Sequence, residues 1–180
     1  MAEKIQLLQT TSSFANLGNC HILVDTNFLI DAKNYPNVFD NIIESLRNQS
    51  CTLVGITAVL FEFTKGAKSK EEYKKKVEYY RSIINTTLPL TPDIHDNISN
   101  LNRVLMKKSL HLSYADGLLL AMLMKYPTLK LLSKDRSDIP TTFFPVFMSL
   151  LLETNDNNCS FNIYSFDKRA YTDKLVELTS

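Results

Sequence analysis

Short apolar runs alternate along the chain with longer segments in which apolar residues recur every three or four positions. The short runs predict buried strands, and the longer segments predict amphipathic helices. Strands are predicted at 22–24, 52–56, 87–90, 129–132 and 162–166. Helices are predicted at 38–48, 57–66, 70–85, 93–108 and 113–125. This alternation is typical of an α/β fold, in which helices cover both faces of a parallel sheet.

Two stretches do not follow the alternation. Residues 1–19 are polar and mixed, with one short helix expected at 3–9. Further on, Pro140 and Pro145 interrupt an apolar segment whose main part, 143–152, predicts either an extra core helix or a contact surface. We favour core packing for this part, because so many large apolar side chains are costly to leave in water.

No repeat, low-complexity tract or linker divides the chain. We therefore expect a single domain over 1–180, with an N-terminal extension at 1–19, a core at 20–167 and a C-terminal tail at 168–180. The length of 180 residues and the hydrophobic content of 44% are sufficient for one substantial core.

Charge and cysteine content narrow the class of protein. The net charge is +1, so no strong overall field attracts nucleic acid, although an acidic site could offset a basic binding face. Cys20, Cys51 and Cys159 match neither a zinc-binding spacing nor a disulfide framework. The first 19 residues lack the apolar core of a signal peptide, and no apolar stretch is long enough to span a bilayer. We therefore expect a cytoplasmic protein.

Four carboxylates lie beside or within apolar runs: Asp25, Glu62, Asp116 and Asp135. A carboxylate in such a place is costly unless it is paired, hydrogen-bonded or bound to a metal. All four fall near predicted strand ends or helix starts, which meet at one edge of an open α/β sheet. Crowded carboxylates need a cation to remain charged, and Mg²⁺ or Mn²⁺ suits an all-oxygen site. The sequence thus predicts one acidic metal site.

Each of these acids also has a purely structural interpretation. Ser113 and Asp116 form a helix-capping pattern, and Asp25 could cap a helix or close a turn. Asp135 could be a residue of a surface loop, and Glu62 could face solvent. The structural interpretation needs four coincidences at once, so we favour the acidic cluster.

The motifs around these acids resemble those of the PIN-domain nucleases. The segment 24–30, VDTNFLI, resembles the opening motif of that family. Glu62 in the helix after the second strand, the segment 113–121 (SYADGLLLA) and the segment 131–138 (LLSKDRSD) follow in the order of the family's other acids. The resemblance covers roughly residues 20–167.

This resemblance implies a three-layer α/β/α sandwich with a central, mostly parallel five-stranded sheet. It also implies a metal-dependent endoribonuclease that hydrolyses RNA phosphodiester bonds with Mg²⁺ or Mn²⁺. Asp25, Glu62, Asp116 and Asp135 would then be the catalytic and metal-binding residues. Many small prokaryotic members are VapC-type toxins held inactive by an antitoxin, so the candidate partners are RNA, a protein antitoxin and a second copy of the chain in a homodimer.

In this scheme Asp25 anchors the principal metal, and Asp135 orients a water or holds a second ion. Thr26, Asn27 and Ser133 are candidates to support these ligands. Asp138 also fits the segment of the fourth acid, so both the choice between Asp135 and Asp138 and the number of metal ions stay open.

A basic segment follows Glu62 and includes Lys65, Lys68 and Lys70. These lysines could contact an RNA backbone, because phosphate contacts position nucleic acid without reading its sequence. Glu71 and Glu72 interrupt the segment, and a solvated helix face is slightly favoured for it.

Two other functions remain as alternatives. The first is a catalytically silent PIN-like module that binds RNA or a protein, although the retention of all four acids argues against it. The second is a phosphatase on another α/β fold. Asn27 stands where an aspartyl phosphatase would carry its second Asp, which disfavours that alternative.

Overall fold

The computed structural model describes residues 6–106, 112–153 and 158–179. Its strands are β1 (Gln6–Thr10), β2 (His21–Val24), β3 (Thr52–Ile56), β4 (Thr86–Leu88), β5 (Lys130–Ser133), β6 (Val146–Glu153) and β7 (Asn158–Tyr164). Its helices are α1 (Thr26–Asn34), α2 (Pro36–Asn48), α3 (Thr57–Thr64), α4 (Lys70–Ile83), α5 (Pro92–Met106), α6 (Tyr114–Lys125) and α7 (Lys168–Thr179). A short 3₁₀ helix, Phe14–Leu17, precedes β2.

All the described strands form one sheet in the order β1-β6-β7-β5-β2-β3-β4. The strands β5, β2, β3 and β4 are parallel to one another. Because β7 is antiparallel to β5 and β6 is antiparallel to β7, β6 points the same way as these four. β1 and β7 run in the opposite direction. The α/β class with a mostly parallel sheet is therefore confirmed.

The helices form two groups. Helix α1 contacts both α2 and α3, α3 contacts α4, and α5 contacts both α6 and α7. The crossovers from β2 to β3 and from β3 to β4 move along the sheet one way, whereas the crossover from β4 to β5 returns. Because parallel crossovers are right-handed, the two groups lie on opposite faces. This arrangement is the three-layer sandwich.

The core is densest around the two central strands. Leu23 and Val24 in β2 and Leu132 in β5 are fully buried. On the face covered by α1 and α2, Phe28, Phe39 and Phe161 meet edge to face with ring centroids 5.2 to 5.6 Å apart. These contacts hold α1, which begins directly after β2, against the sheet.

The sheet is larger than the predicted five strands, because β1 and β6 were not anticipated. The segment 143–152 does pack in the core, since Phe143 and Phe144 are fully buried. Its main part is strand β6 rather than an extra helix, and Met148, Leu150 and Leu152 alternate into the core. Pairing with β7 on one side and β1 on the other supplies the hydrogen bonds that favour the extended form.

Both ends of the chain contain regular structure. Where a helix was expected at 3–9, the described part is strand β1, which pairs with β6 from Gln6 to Thr10. The segment 168–180, expected as a tail, contains helix α7. The helix predicted at 93–108 is α5, and its last two positions lie outside the described residues.

Two other observations concern the chain as a whole. Cys20, Cys51 and Cys159 are all free thiols. Of the helices in the described ranges, none combines the length and the apolar character that crossing a membrane requires.

Candidate active site

A small recess lies at the carboxyl edge of the parallel strands. We call it the acid recess; its lining residues are Asp25, Asp116, Leu119, Leu120, Leu131, Ser133, Asp135 and Ile139. Asp25 follows β2, and Ser133 is the last residue of β5. Since β2 and β5 are adjacent and in parallel register, their ends bring these side chains together. Asp116 arrives from the first turn of α6.

Asp25 is the most constrained of these acids and is only 7% exposed. It caps α1, since its Oδ1 accepts a hydrogen bond of 2.6 Å from the backbone nitrogen of Thr26. Its Oδ2 accepts from Asn27 Nδ2 at 2.5 Å and from Ser133 Oγ at 2.6 Å. Burial raises the pKa of Asp25 to about 6, and the neighbouring charges of Asp116 and Asp135 add to the rise.

Ser133 and Asn27 connect the ends of β2 and β5. Besides its bond to Asp25, Ser133 Oγ accepts from Asn27 Nδ2 at 3.1 Å and from the backbone nitrogen of Asp135 at 3.0 Å. The backbone nitrogen of Lys134 donates to Asn27 Oδ1 at 3.3 Å. These bonds hold the turn after β5 against the start of α1, in line with the supporting role expected for Asn27 and Ser133.

Asp116 takes part in the cap of α6 and also lines the acid recess. Its backbone nitrogen donates to Ser113 Oγ at 3.1 Å, which caps α6. Ser113 Oγ in turn donates to Asp116 Oδ2 at 2.5 Å. The same carboxylate lines the acid recess, so capping fixes its position there without removing it from the cluster.

Asp135 and Asp138 occupy different environments. Asp135 is partly buried and lines the acid recess, whereas Asp138 is exposed and does not belong to its lining. Burial raises the pKa of Asp135, and the charges of Asp116 and Asp138 raise it further. The geometry therefore favours Asp135 over Asp138 as the fourth acid.

Glu62 lies outside the acid recess, with its side chain exposed. It is nevertheless joined to the recess through Thr26, whose Oγ1 donates to Glu62 Oε2 at 2.8 Å. The backbone nitrogen of the same threonine donates to Asp25. The structure thus brings Asp25, Asp116 and Asp135 together in one recess. Glu62 lies outside this recess and is linked to it by a hydrogen bond from Thr26.

The oxygen atoms that line the recess suit Mg²⁺ or Mn²⁺, whereas the space inside the recess is too small for a hydrated ion. Its polar lining consists of carboxylates and a hydroxyl, which are oxygen donors. Within the described ranges, however, no three His, Cys, Asp or Glu side chains are arranged to hold one ion, and the recess leaves no room for a water-sized group. Mg²⁺ commonly keeps several waters and takes only one or two protein carboxylates.

The basic segment after Glu62 lies on the surface, where glutamates accompany its lysines. Lys65, Lys68 and Lys70 are all exposed. Lys65 lines a groove of about 430 Å³ between α3 and α4, together with Thr57, Leu60, Phe61, Thr64 and Tyr73. The backbone nitrogen of Lys68 donates to Glu72 Oε2 at 2.8 Å, and this bond is the main reason why the pKa of Glu72 is lowered. Lysines remain available to a ligand, although glutamates share the surface.

A series of hydrogen-bonded polar side chains behind Asp135 was not predicted from the sequence. Tyr164, which is fully buried, donates from its hydroxyl to the backbone oxygen of Asp135 at 2.6 Å. Asn162 Nδ2 donates to the Tyr164 hydroxyl at 3.0 Å, and Ser149 Oγ donates to Asn162 Oδ1 at 2.6 Å. The only signal in the sequence was an asparagine within an apolar strand. This series fixes the backbone that carries the fourth acid.

Comparison with known proteins gives one informative result. No family model matches the sequence, and no curated protein matches it. Among solved structures, the chain is similar to a chain in the crystal structure of VapBC2 from Rickettsia felis bound to a DNA fragment from their promoter. The TM-score is 0.50 at 20% identity, over 62% of this chain and 96% of that chain. At this identity the likeness shows a shared fold.

Proposed function

We propose that the protein is a cytoplasmic, PIN-like endoribonuclease that hydrolyses RNA phosphodiester bonds with the help of Mg²⁺ or Mn²⁺. The observation that carries this proposal is the convergence of Asp25, Asp116 and Asp135 in one recess at the carboxyl edge of the parallel strands. Ligand sites of open α/β sheets lie at this edge. The fold shared with the VapBC2 chain supports the same assignment.

Asp25, Asp116 and Asp135 are the residues that would hold the metal, with Glu62 contributing at the rim. A bound divalent cation lowers the pKa of water and stabilises the charge that develops on the phosphate. With a pKa of about 6, Asp25 is largely ionised at neutral pH and is available as a ligand. Thr26, Asn27 and Ser133 fix the orientation of its two oxygens through hydrogen bonds. Asp135 would orient the attacking water.

A protein antitoxin is the partner we propose beside RNA. One chain of similar fold belongs to a crystal structure of VapBC2 bound to a DNA fragment from their promoter. Next to Glu62, the side chain of Phe61 is 69% exposed and that of Tyr73 is 48% exposed. Exposed aromatic side chains of this size are common in protein interfaces. A second copy of this chain is the other occupant considered for this surface.

The catalytically silent module remains the second candidate, because one observation favours it. The recess leaves no room for a water-sized group, and no described trio of acidic, His or Cys side chains is arranged around an ion. A module without a metal would not need space for an ion in this recess. The two functions differ in whether the acids respond to a divalent cation.

The decisive experiment combines RNA cleavage with thermal melting. We expect cleavage of a labelled RNA in Mg²⁺ or Mn²⁺ that is lost in chelator, and a melting temperature raised by the metal, since ligands that bind the native state stabilise it. Asp116→Asn should blunt both effects, whereas Asp96→Asn, at an exposed position on α5, should change neither. Absence of both cleavage and metal binding would leave the silent module as the function.

A further inference from the structure

Another concave surface lies on the other side of the turn that follows β5. We call it the basic cleft; it has a volume of about 460 Å³, and its lining residues are Lys134, Arg136, Leu151, Cys159 and Ser160. Its floor is formed by β6 and β7, where Leu151 pairs with Ser160. The volume lies in the range of pockets that bind small molecules.

The acid recess and the basic cleft share one stretch of chain. Ser133 and Asp135 line the recess, whereas Lys134 and Arg136 line the cleft. Consecutive residues of this segment therefore line two different surfaces. Neighbouring Cα atoms are about 3.8 Å apart, so the cleft begins one residue from the proposed fourth acid.

Arg136 is the cation in the cleft that forms no ion pair with a described residue. Its Nη2 donates to Ser160 Oγ, a neutral partner that is only 8% exposed. A guanidinium has five N–H donors in a planar fork, so most of them remain available to a ligand after the bond to Ser160.

Lys134 contributes a second, partly compensated charge. Its Nζ lies 2.9 Å from Asp31 Oδ2, while its side chain remains 44% exposed. Leu151 and Cys159 provide the less polar part of the lining. Burial raises the pKa of the Cys159 thiol, so this wall stays uncharged at neutral pH. The cleft therefore combines a directed cation with an apolar surface.

We propose that the basic cleft binds a backbone phosphate of the RNA strand next to the scissile phosphate, with Arg136 as the residue that positions it. This inference rests on the proposed function. A strand approaching Asp116, Asp135 and Asp138 meets concentrated negative charge, and a cation beside them offsets that repulsion. Arginine matches phosphate through two parallel N–H donors, and the apolar wall suits the ring of the attached nucleotide.

The test measures binding without requiring cleavage. In the Asp25→Asn background, we expect Arg136→Ala to weaken the binding of a labelled single-stranded RNA about fivefold to tenfold and to reduce the salt slope by about one contact. Arg136→Lys should give an intermediate loss, because it keeps the charge without the fork. Arg169→Ala is the matched control, since Arg169 is 93% exposed on α7. Melting curves establish that each variant is folded.

Two results would overturn the assignment of the cleft. One is unchanged affinity and salt dependence in folded Arg136→Ala. The other is Arg136-dependent binding of a nucleoside 5′-monophosphate as tight as that of the RNA, which would identify a free nucleotide as the ligand. The proposed function fails separately: if the wild type binds RNA through Arg136 but does not cleave it with any divalent metal, the cleft stands and the nuclease assignment falls.

Discussion

The acid recess and the basic cleft flank the same turn, but they differ in how far their charged groups are buried. The acids of the recess are buried or half-buried, whereas the cations of the cleft are exposed. In the recess, carboxylates are drawn out of water and crowded together, and the pKa values of Asp25 and Asp135 rise as a result. In the cleft, Arg136 and Lys134 stay accessible to solvent. Each surface also has a buried serine hydroxyl bonded to its main charge, Ser133 for Asp25 and Ser160 for Arg136.

This difference indicates that the charges of the acid recess destabilise the folded state more than those of the basic cleft do. Desolvated like charges destabilise the native state unless a cation joins them. A solvated cation bound to a neutral hydroxyl costs the fold little. Changes in the recess should therefore alter both stability and chemistry, and changes in the cleft should mainly alter binding.

The largest effect is expected for Asp25→Asn. The substitution keeps the size of the side chain but removes the carboxylate at the centre of the recess, so RNA cleavage should fall at least about a hundredfold. The melting temperature at neutral pH should be unchanged or higher, because a buried charge is removed. Cleavage assays and thermal melting of the same preparation measure both quantities. A folded variant that still cleaves RNA would exclude Asp25 from the mechanism.

A smaller loss, about tenfold or more in cleavage rate, is expected for Asp135→Ala. Its matched control is Asp138→Ala, three residues away, exposed and outside the recess lining. Because Asp138 lies near the cluster without lining it, we expect a modest effect on cleavage and a stability change of about 1 kcal/mol or less. Rates and melting temperatures of the two variants decide the assignment, and a larger loss of activity in Asp138→Ala would reverse it.

The acid recess was largely predictable because its signals are local. Both β2 and β5 lie within one residue of their predicted bounds, and the cap at Ser113 places Asp116 in the first turn of α6. A residue that directly follows a strand, as Asp25 does, must lie near the edge of the sheet. The exposed position of Glu62 could not be predicted in the same way, because helix rotation is decided by packing partners from elsewhere in the chain.

The basic cleft was not predictable because it depends on long-range pairing. β1 pairs with β6 across most of the chain, joining Gln6 to Glu153. The run from Val146 to Leu152 is almost continuously apolar. The sequence therefore does not show the alternation between more and less buried residues that the strand has in the structure. Without β6 and β7, Lys134 and Arg136 are only loop cations. Their shared cleft exists because the antiparallel extension forms its floor.

The third prediction concerns the dependence of stability on pH. Asp25 has a pKa of about 6 in the folded chain, against an ordinary value of 3.8. The folded state therefore binds this proton more tightly than the unfolded state does, and the contribution of Asp25 to stability falls as the pH rises from about 4 to 6. The fall should be on the order of 2–3 kcal/mol at most. It should be absent in Asp25→Asn when both proteins are melted in chelator.

The difference between wild type and variant is the quantity to follow, because other carboxylates also titrate in this range. Asp135 shifts in the same direction, while the half-buried Glu72 and the exposed Asp93 shift in the opposite direction. These contributions largely cancel in the difference. A constant difference in unfolding free energy between pH 4 and 7 would show that the carboxyl of Asp25 is not strained by burial.

The smallest effects compare the two buried serines. Ser133→Ala removes a hydrogen bond to the Asp25 carboxylate and the acceptor for the backbone nitrogen of Asp135, so it should cost about 1–3 kcal/mol of unfolding free energy. Ser160→Ala removes a bond to an exposed guanidinium that water can replace, and should cost less than about 1 kcal/mol. Denaturant titrations of both variants measure the two costs. The loss in Ser133→Ala should also grow with pH, because the hydroxyl is needed most when Asp25 is charged. If the two variants lost the same unfolding free energy at every pH, the charges of the acid recess would destabilise the fold no more than those of the basic cleft.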